Sequence, residues 1–366
     1  MRYFIIAGEA SGDMHGANLM RAIKKVDADA VFQFWGGDKM NAEAKGLLVH
    51  YRDTAVMGLI EVIMKLRTIF SNINRCKKDV LAFAPDVVIL IDYPGFNLRI
   101  AEFCKKNKIR TVYYISPKVW AWKENRAKKL EQFVDQLLLI FPFEVPYFKK
   151  WKVNATYVGN PLLDEIAAFK PNANFYTKNH LETKPIIALL PGSRKHEISR
   201  MLPTMIEAVK KFSQYQFVIA GAPSIDQSFY EHYLTQDVKI VYEQTYDLLH
   251  HAEAGVVCSG TATLEAALFN VPQVCGYAGH PITYIIGKML ITIEHFSLVN
   301  LCLQRLCITE LLQHTFNVQT VQHELELILP NGKNRNKMLA DYVELRNLLG
   351  NEGASDRAAK IIFEKK

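Results

Sequence analysis

Short, continuous apolar runs alternate along this chain with longer stretches in which apolar residues recur every three or four positions. Runs of the first kind are typical of strands buried on both faces of a parallel sheet, and stretches of the second kind are typical of amphipathic helices. The runs predict strands at Tyr3–Ala7, Val87–Asp92, Thr111–Ile115 and Gln136–Phe141, and then at Ile186–Leu190, Gln216–Ala220, Lys239–Tyr242, Gly255–Cys258 and Gln273–Gly276. The predicted helices include Gly16–Lys25, Leu202–Phe212 and Thr263–Phe269.

The predicted strands fall into two series, which a polar stretch near Pro161–Pro185 separates. Strands that alternate with helices predict a parallel sheet covered on both faces. A chain of 366 residues is long enough for two such domains. We therefore expect an α/β fold with two doubly wound domains, residues 1–170 and residues 171–335, followed by a charged helical tail over residues 336–366.

The overall composition is that of a folded soluble protein, because hydrophobic residues make up 49% and charged residues 22% of the chain. This excludes disordered, collagen-like and coiled-coil proteins. The six cysteines include no CxxC pair, so we expect neither a disulfide framework nor a zinc site, and a reducing cytosol is the default. No apolar run approaches the ~18 residues of a membrane-spanning helix. The apolar stretch at the N-terminus is too short for a signal peptide.

The positive charge is concentrated in the first half of the chain. Residues 1–170 hold 26 of the 44 basic residues and 18 of the 37 acidic residues, so this part carries a net charge of +8 and the remaining residues carry −1. A basic surface that is merely solvated is the simpler interpretation. The asymmetry also favours an anionic partner, for which nucleic acid, an anionic membrane and a phosphorylated lipid are candidates.

A turn of small residues, Gly8–Gly16, follows the first predicted strand. In a doubly wound sheet, ligands bind beyond the carboxyl ends of the strands, so chemistry is expected in such turns. The spacing is not GxGxxG and no GK[ST] follows, which excludes a dinucleotide fingerprint and a P-loop. Ser11 and Asp13 are therefore candidates either for capping the helix after Gly12 or for a functional role.

Two turns in the second half favour a nucleotide diphosphate site. The turn Leu190–Arg194 follows a predicted strand and contains a glycine and an arginine. The arginine is suited to bind a diphosphate, because the geometry of a guanidinium group matches that of a phosphate. Cys258–Glu265 joins a strand to a helix, where small hydroxyl residues and exposed amide groups can bind an anion. The candidate contacts there are Ser259, Gly260, Thr261 and Thr263, with Glu265 able to accept ribose hydroxyls. A surface arginine and an ordinary helix cap are the simpler alternatives.

Acidic residues at two further places could carry chemistry. Asp92 ends the most apolar predicted strand, which favours a general base, although it could instead cap a helix starting near Phe96. Asp27 and Asp29 form a DxD pattern, but they follow a predicted helix and no carboxyl end of a strand is near. We interpret them as a solvated turn without a metal. The histidines show no ligand spacing, so no metal site is predicted.

The segment Ala55–Phe70 is apolar around most of a helical circumference. A buried core helix and an interfacial, lipid-facing helix are both consistent with this pattern. In the second interpretation, Met57, Ile60 and Met64 face lipid. Basic residues cluster at the end of the segment and just after it, and they are Lys65, Arg67, Arg75, Lys77 and Lys78.

Taken together, the motifs resemble those of one family. The stretches GEASGDMHGANLMRAIK, VMGLIEVI, IDYPGFN, YYISPKVWAWKENR, LPGSRKHEI and SGTATLEAAL, with SLVN and TELLQ after them, occur in the order typical of lipid-A-disaccharide synthase. These enzymes are inverting glycosyltransferases of bacterial outer-membrane biosynthesis. SPKVWAW and GEASGD are specific, whereas LPGSR and GTATLE also occur in other sugar-nucleotide transferases. Two places depart from the pattern: Gly95 stands where many members have a second acid, and Cys302–Ile308 differs from the usual glycine-containing loop.

The resemblance implies two Rossmann-like domains that face each other across a cleft, the GT-B type, with the final helix returning to the first domain. It implies transfer of 2,3-diacylglucosamine from UDP-2,3-diacylglucosamine to the 6-hydroxyl of 2,3-diacylglucosamine 1-phosphate (lipid X), with release of UDP. No cofactor and no nucleic acid are expected. We expect a cytoplasmic enzyme, peripheral on the anionic inner membrane, with a homodimer as one option for its assembly.

The resemblance also implies roles for individual residues. Asp92 is similar to the family's base, with Asp13 as the competing candidate, and Ser11 and Asp13 are expected to line the cleft. Arg194 is expected to bind the diphosphate. The expected nucleotide contacts are Ser259, Gly260, Thr261, Thr263 and Glu265, and the expected donor-site residues are Asn300, Glu310 and Gln313.

Three other functions remain open from the sequence. A UDP-sugar transferase acting on a polyprenyl acceptor has the same fold, but it carries a GGxGG loop near its start, which is not the GEASGD found here. A UDP-sugar epimerase has no need of a lipid-facing helix. A nucleic-acid binder would use the basic half, yet that half shows no aromatic-flanked basic motif.

Overall fold

The computed structural model describes residues 1–54, 66–119, 125–235, 237–279 and 294–364. The chain forms two compact units, one comprising Met1–Asp164 and Asn351–Lys366 and the other comprising Glu165–Gly350. The predicted domains change at residues 170 and 335, whereas the units change after Asp164 and after Gly350. Both units contain a parallel sheet with helices between the strands, so the expected α/β class is confirmed.

The first unit is built on one parallel sheet in the order β3-β2-β1-β4-β5-β6-β7. Its strands are β1 (Arg2–Ala7), β2 (Val31–Gly36), β3 (Leu47–His50), β4 (Val87–Ile91), β5 (Arg110–Tyr114), β6 (Gln136–Leu139) and β7 (Ala155–Tyr157). The helices that follow them are α1 (Ala10–Val26), α2 (Asp38–Glu43), α3 (Tyr51–Thr54), α4 (Leu66–Phe83), α5 (Pro94–Lys106), α6 (Asn125–Phe133), α7 (Glu144–Lys150) and α8 (Pro161–Ala168), the last of which runs across the boundary between the units.

The second unit has a parallel sheet in the order β10-β9-β8-β11-β12-β13. Its strands are β8 (Ile186–Leu190), β9 (Gln216–Gly221), β10 (Val238–Tyr242), β11 (Ala252–Cys258), β12 (Gln273–Tyr277) and β13 (Glu310–Leu312). Its helices are α9 (Phe175–Lys178), α10 (Lys195–Val209), α11 (Thr245–His251), α12 (Thr261–Leu268), α13 (Leu298–Leu303), α14 (Val318–Ile328) and α15 (Arg335–Leu349), with 3₁₀ helices at Gln227–Tyr233 and Gln313–Thr315.

Strand order reverses in each sheet between two neighbouring central strands. In the first unit the reversal lies between β1 and β4, and in the second it lies between β8 and β11. All four strands are almost completely buried, as their continuous apolar runs predicted. Crevices at such reversals, beyond the carboxyl ends of the strands, are where doubly wound sheets bind ligands.

The last helix of the chain, α16 (Ala354–Glu364), belongs to the first unit and packs on α1. Ala358 and Ile362 are fully buried in it. Lys25 of α1 forms an ion pair with Asp356 at 2.9 Å, and the Arg357 side chain donates to the Val158 carbonyl oxygen at 2.7 Å. Apolar burial and polar bonds thus hold this helix within the first unit.

The turn that carries the DxD pattern differs from our interpretation. Asp27 is only 8% exposed. Its carboxylate accepts from the amino group of Met1 and from the Tyr3 hydroxyl, each at 2.8 Å. The turn lies beside the start of β1, so the solvated turn expected there is wrong for Asp27, which instead holds the beginning of the first strand.

Candidate active site

Four of the sequence motifs follow the four strands at which strand order reverses. The GEASGD turn follows β1 and the IDYPGFN turn follows β4 in the first unit, while LPGSR follows β8 and SGTATLE follows β11 in the second. Each unit therefore presents two motif turns side by side at its ligand-binding edge.

Asp92 stands in a left-handed backbone conformation directly after β4. Its φ is 42°, and that of Tyr93 is 50°, a conformation uncommon for side chains other than Asn and Asp. The Asp92 carbonyl oxygen accepts from the Asn97 amide at 2.7 Å and from the Tyr113 hydroxyl. The N-cap residue of α5 is Tyr93, so the alternative in which Asp92 caps this helix is not supported.

The carboxyl of Asp92 holds its proton more tightly than an ordinary aspartate. Burial is the largest cause, the negative charge of Glu9 adds to it, and Lys118 opposes it, which together raise the pKa to about 6. A carboxyl with such a pKa is ionised at neutral pH and can still accept a proton effectively. Its position and its electrostatics both fit a general base.

The two motif turns of the first unit touch through Gly8 and Tyr93. A Cβ on Gly8 would overlap the Tyr93 ring, so only glycine allows this approach. The Tyr93 ring is also stacked on Phe96, with the ring centres 5.4 Å apart. This contact holds the GEASGD turn against the turn that carries Asp92.

Asp13 has a different structural role from the one expected. Helix α1 begins at Ala10, so Asp13 lies within its first turn and does not cap it. The buried carboxylate instead accepts from the backbone N–H groups of Gly37 at 2.7 Å, Lys39 at 3.0 Å and Met40 at 3.1 Å. Asp13 thus caps the start of α2, and these bonds make it a weaker candidate for the base than Asp92. Ser11, in the same turn of α1, is exposed.

A buried carboxylate that the sequence analysis missed supports the SPKVW motif. Ser116 donates to Glu144, which lies at the start of α7, and the other Glu144 oxygen accepts from the Phe141 N–H at 3.2 Å. Both residues are buried. The turn that they hold carries Lys118, one of the charges that act on Asp92.

In the second unit, Arg194 is the N-cap residue of α10, and its side chain is 60% exposed. One guanidinium nitrogen lies 2.9 Å from the buried carboxylate of Glu197. The other Glu197 oxygen accepts from the Ser193 N–H at 3.2 Å. Gly192 has a φ of 110°, which favours glycine. Glu197, which the sequence analysis missed, orients Arg194 while leaving guanidinium N–H groups for an anion.

The turn after β11 leads into the N-terminus of α12. Thr261 is exposed. A Cβ added at Gly260 would have no other atom within 4 Å, so the space beside this glycine is open. Ser259 donates to the Phe296 carbonyl oxygen at 3.0 Å. Thr263 is fully buried and its hydroxyl donates to the Gly260 carbonyl oxygen at 2.8 Å, so this hydroxyl stabilises the turn. Backbone amides at the start of α12 and the exposed Thr261 are the groups of this turn that are suited to an anion.

Glu265 lies one turn further along α12, next to a tyrosine and a second carboxylate. The Tyr246 hydroxyl is 3.3 Å from Glu265 Oε1 and 3.3 Å from Glu165 Oε2. Burial raises the pKa of Glu265 to about 7, with the hydrogen bond from Tyr246 opposing this rise and the charge of Glu165 adding to it.

Asn300 and Glu310 hold a loop together through hydrogen bonds to its backbone. Asn300 is fully buried; its amide nitrogen donates to the Ile308 carbonyl oxygen at 2.9 Å and to Glu310 at 2.8 Å, and its oxygen accepts from the Cys307 and Ile308 N–H groups. Glu310 also accepts from the N–H groups of Phe296 and Ser297. The amide of Gln313 pairs with the backbone of Gly279, at 3.2 and 3.0 Å.

A pocket of about 510 Å³ borders this loop in the second unit. Glu310, Cys307 and Ile308 line one side of it, and Lys337 and Met338 of α15 line another. Of the three donor-site residues expected from the sequence, only Glu310 borders this pocket.

The expected lipid-facing residues fall mainly outside the described part of the chain. Met57, Ile60, Met64 and Lys65 lie there, while Arg67 is described and is exposed at the start of α4. Among the described helices, none is both long enough and apolar enough to cross a membrane. Within the same residues, no three His, Cys, Asp or Glu side chains are grouped so as to hold a metal ion.

Comparisons with known proteins agree on one family. The family model described as lipid-A-disaccharide synthetase matches residues 3–364. The lipid-A-disaccharide synthase of Syntrophus aciditrophicus is 38% identical over 364 residues, which cover 97% of this chain and 95% of that protein. The enzyme of the same name from Coxiella burnetii is 33% identical over 363 residues, which cover 98% of this chain and 96% of that protein.

Solved structures show the same fold at low sequence identity. UDP-GlcNAc 2-epimerase from Neisseria meningitidis, bound to UDP-GlcNAc, has a TM-score of 0.67 at 11% identity, with 100% of both chains covered. The glycotransferase of kitacinnamycin has a TM-score of 0.66 at 11% identity, with 99% of this chain and 98% of that chain covered. At such identities the likeness concerns the fold alone.

Proposed function

The chain belongs to the lipid-A-disaccharide synthase family of glycosyltransferases, and we propose that it joins two acylated glucosamine units. The donor is UDP-2,3-diacylglucosamine and the acceptor is 2,3-diacylglucosamine 1-phosphate (lipid X). The products are the β-1,6-linked disaccharide 1-phosphate and UDP. The observation that carries this proposal is the family match over residues 3–364, which includes all four motif turns.

Asp92 is the proposed base. The acceptor 6-hydroxyl is a weak nucleophile, and it becomes a stronger one as its proton passes to the Asp92 carboxylate. The oxygen then forms a bond to the anomeric carbon of the donor while the bond from that carbon to the diphosphate breaks, and UDP leaves with the electron pair. The raised pKa of Asp92 supports this role, because general bases work best when their pKa lies near the working pH.

Arg194 and the N-terminus of α12 are the proposed diphosphate site. Departure of UDP places negative charge on its phosphates, and fixed positive groups stabilise that charge. Arg194, held by Glu197, supplies a full charge. Backbone amides after Gly260 supply the positive end of a helix dipole, with the Thr261 hydroxyl beside them. Ser259 supports the turn, and Glu265 is proposed to accept the ribose hydroxyls.

The remaining residues of the first unit are proposed to shape the acceptor side. Ser11 is exposed in the first turn of α1 and can bind the acceptor sugar. Asp13 is proposed to shape the acceptor side by holding the start of α2, whose backbone N–H groups it binds. In the second unit, Asn300, Glu310 and Gln313 are proposed to position the loop and strand that border the donor sugar.

Contact with the membrane is part of the proposal because both sugars carry acyl chains. We propose that the enzyme is peripheral on the cytoplasmic face of the inner membrane. Met57, Ile60 and Met64 would enter the lipid surface, and Lys65, Arg67 and the basic residues that follow would bind its anionic headgroups. The exposure of Arg67 and of Phe70 supports this surface. Assembly as a homodimer stays a prediction.

The proposed reaction is tested by incubating the protein with UDP-2,3-diacylglucosamine and lipid X in mixed micelles. Formation of the disaccharide 1-phosphate and of UDP in equal amounts, detected by mass spectrometry, is expected. A parallel incubation with UDP-GlcNAc alone tests for epimerisation, which the fold would also allow. Epimerisation without disaccharide formation would contradict the proposal.

A further inference from the structure

Tyr246 is a half-buried tyrosine of α11 that none of the motifs contains. Its ring packs edge-on against Phe169, with the ring centres 5.7 Å apart, and at a tilt against Phe269, with the ring centres 5.1 Å apart. Phe169 follows α8 and Phe269 follows α12, and their own ring centres are 5.5 Å apart. This packing fixes the direction in which the Tyr246 hydroxyl points.

That hydroxyl lies between two carboxylates. Glu265 Oε1 and Glu165 Oε2 are each 3.3 Å from it, and they come from α12 and α8. A hydroxyl has one proton to donate, whereas ionised carboxylates only accept. The group of three therefore makes both bonds only when one carboxyl is protonated. The pKa of Glu265 agrees with this arrangement: burial raises it to about 7, the Tyr246 hydrogen bond lowers it, and the charge of Glu165 raises it further.

We propose that Tyr246 is a positioning residue for nucleotide recognition: it holds Glu265 Oε1 so that Oε2 is directed to the ribose hydroxyls of the UDP moiety. The inference rests on the proposed function, in which Glu265 is the ribose contact. Ribose hydroxyls that donate to Glu265 favour its ionised form. Glu165, on the far side of the Tyr246 hydroxyl, sets the pH at which that form appears.

The consequence is a specific defect in recognising the ribose. Without the Tyr246 hydroxyl, Glu265 loses its fixed orientation, but the diphosphate site at Arg194 is untouched. Tyr246→Phe should therefore weaken UDP binding by ~3–10-fold, which is the effect expected from the loss of one hydrogen bond. It should leave the binding of 2′,3′-dideoxy-UDP unchanged, because that analogue lacks both hydroxyls. Glu165→Gln removes a negative charge and should move the pH dependence of UDP affinity to lower pH.

The test is calorimetric titration of the full-length protein with UDP and with 2′,3′-dideoxy-UDP at several pH values. Tyr230→Phe is the matched control, because Tyr230 is another tyrosine of this unit with a hydrogen-bonded hydroxyl, which accepts from the Ala222 N–H at 3.0 Å. We expect this control to keep the wild-type preference for UDP over the dideoxy analogue, and we expect Tyr246→Phe and Glu265→Gln to lose it.

Two other outcomes separate the inference from the proposed function. If Glu265→Gln loses the preference while Tyr246→Phe keeps it and Glu165→Gln leaves the pH dependence in place, the inference about Tyr246 is wrong and the nucleotide site stands. If Glu265→Gln binds both ligands as the wild type does, the proposed ribose contact is wrong, and the role of Tyr246 fails with it.

Discussion

The side-chain amide of Asn97 donates a hydrogen bond to the backbone carbonyl oxygen of Asp92 at 2.7 Å, and a second one to the Ile91 carbonyl oxygen at 3.2 Å. Asn97 is the last residue of the IDYPGFN motif and is fully buried in the first turn of α5. It closes the turn in which Asp92 and Tyr93 both have positive φ. Asn97 therefore holds the backbone in the conformation that sets the position of Asp92, the proposed base.

We predict that Asn97→Ala lowers turnover by ~10–100-fold, because a small displacement of a reacting group has an effect of this order. Affinity for UDP, which the second unit is proposed to bind, should stay unchanged. Asn107→Ala is the matched control, since Asn107 follows the same helix and donates to the Phe103 carbonyl oxygen at 2.8 Å. Equal losses of turnover in the two variants would show that Asn97 acts only through the stability of α5.

The raised pKa of Asp92 predicts that the residue reduces the stability of the protein at neutral pH. The folded state binds the Asp92 proton up to about pH 6, whereas the unfolded chain releases it near the ordinary value of 3.8. The tighter binding of this proton by the folded state therefore stabilises the protein fully below pH 3.8, and this stabilisation is lost as the pH rises through 6. Asp92→Asn should raise the free energy of unfolding at pH 8 by about 1–2 kcal/mol, discounted for partial exposure.

Urea denaturation at pH 8 and at pH 5 measures this difference. The gain from Asp92→Asn should be larger at pH 8, where the wild-type carboxyl is ionised. A gain that is the same at both pH values would mean that the carboxyl is not buried enough to hold its proton.

Arg194 is predicted to act on the leaving diphosphate. Arg194→Ala should fold normally, because the side chain is 60% exposed, and should lower turnover by ~10²–10³-fold. Lys210→Ala, at the other end of α10, removes a cation that is 59% exposed and should have no such effect. Addition of EDTA should change the activity little. Full inactivation by EDTA that Mg²⁺ reverses would contradict a leaving-group site made of protein groups.

The proposed membrane surface is tested by replacing Met57, Ile60 and Met64 with serine. If these side chains face lipid, the triple variant keeps its melting temperature and loses binding to vesicles that contain anionic lipid. Ile73→Ser in α4 is the contrasting control, because Ile73 is buried in the core and its loss should lower the melting temperature. Unfolding of the triple variant would place the segment in the core.

The central strands and the turns after them could be predicted from the sequence because each contains a continuous apolar run that leads into a polar or glycine-containing turn. β1, β4, β8 and β11 are of this kind. β3, β7 and β13 were not predicted: they have three or four residues, lie at sheet edges and are only partly buried. β2 was also missed, since Gln33 interrupts its apolar run.

The candidate site was predictable as a set of turns but less so residue by residue. The partners of Asp13, Asp27 and Ser116 are at least 24 residues away in sequence, so no local pattern reveals them. Thr263 and Asn300 were expected to contact the nucleotide or the donor, yet their polar groups are bonded within the protein. Side-chain direction depends on packing, which periodicity does not report.

The most direct test of the account is the turnover of Asp92→Asn with UDP-2,3-diacylglucosamine and lipid X, measured beside its affinity for UDP. Asparagine keeps the size of the side chain and removes the base. We predict that turnover falls by at least ~10²-fold while UDP affinity stays within twofold of the wild type, since a positioned base contributes ~10²–10⁴ in rate. Near-normal turnover of the Asp92→Asn protein would contradict the assignment of Asp92 as the base and return the role to Asp13 or another group.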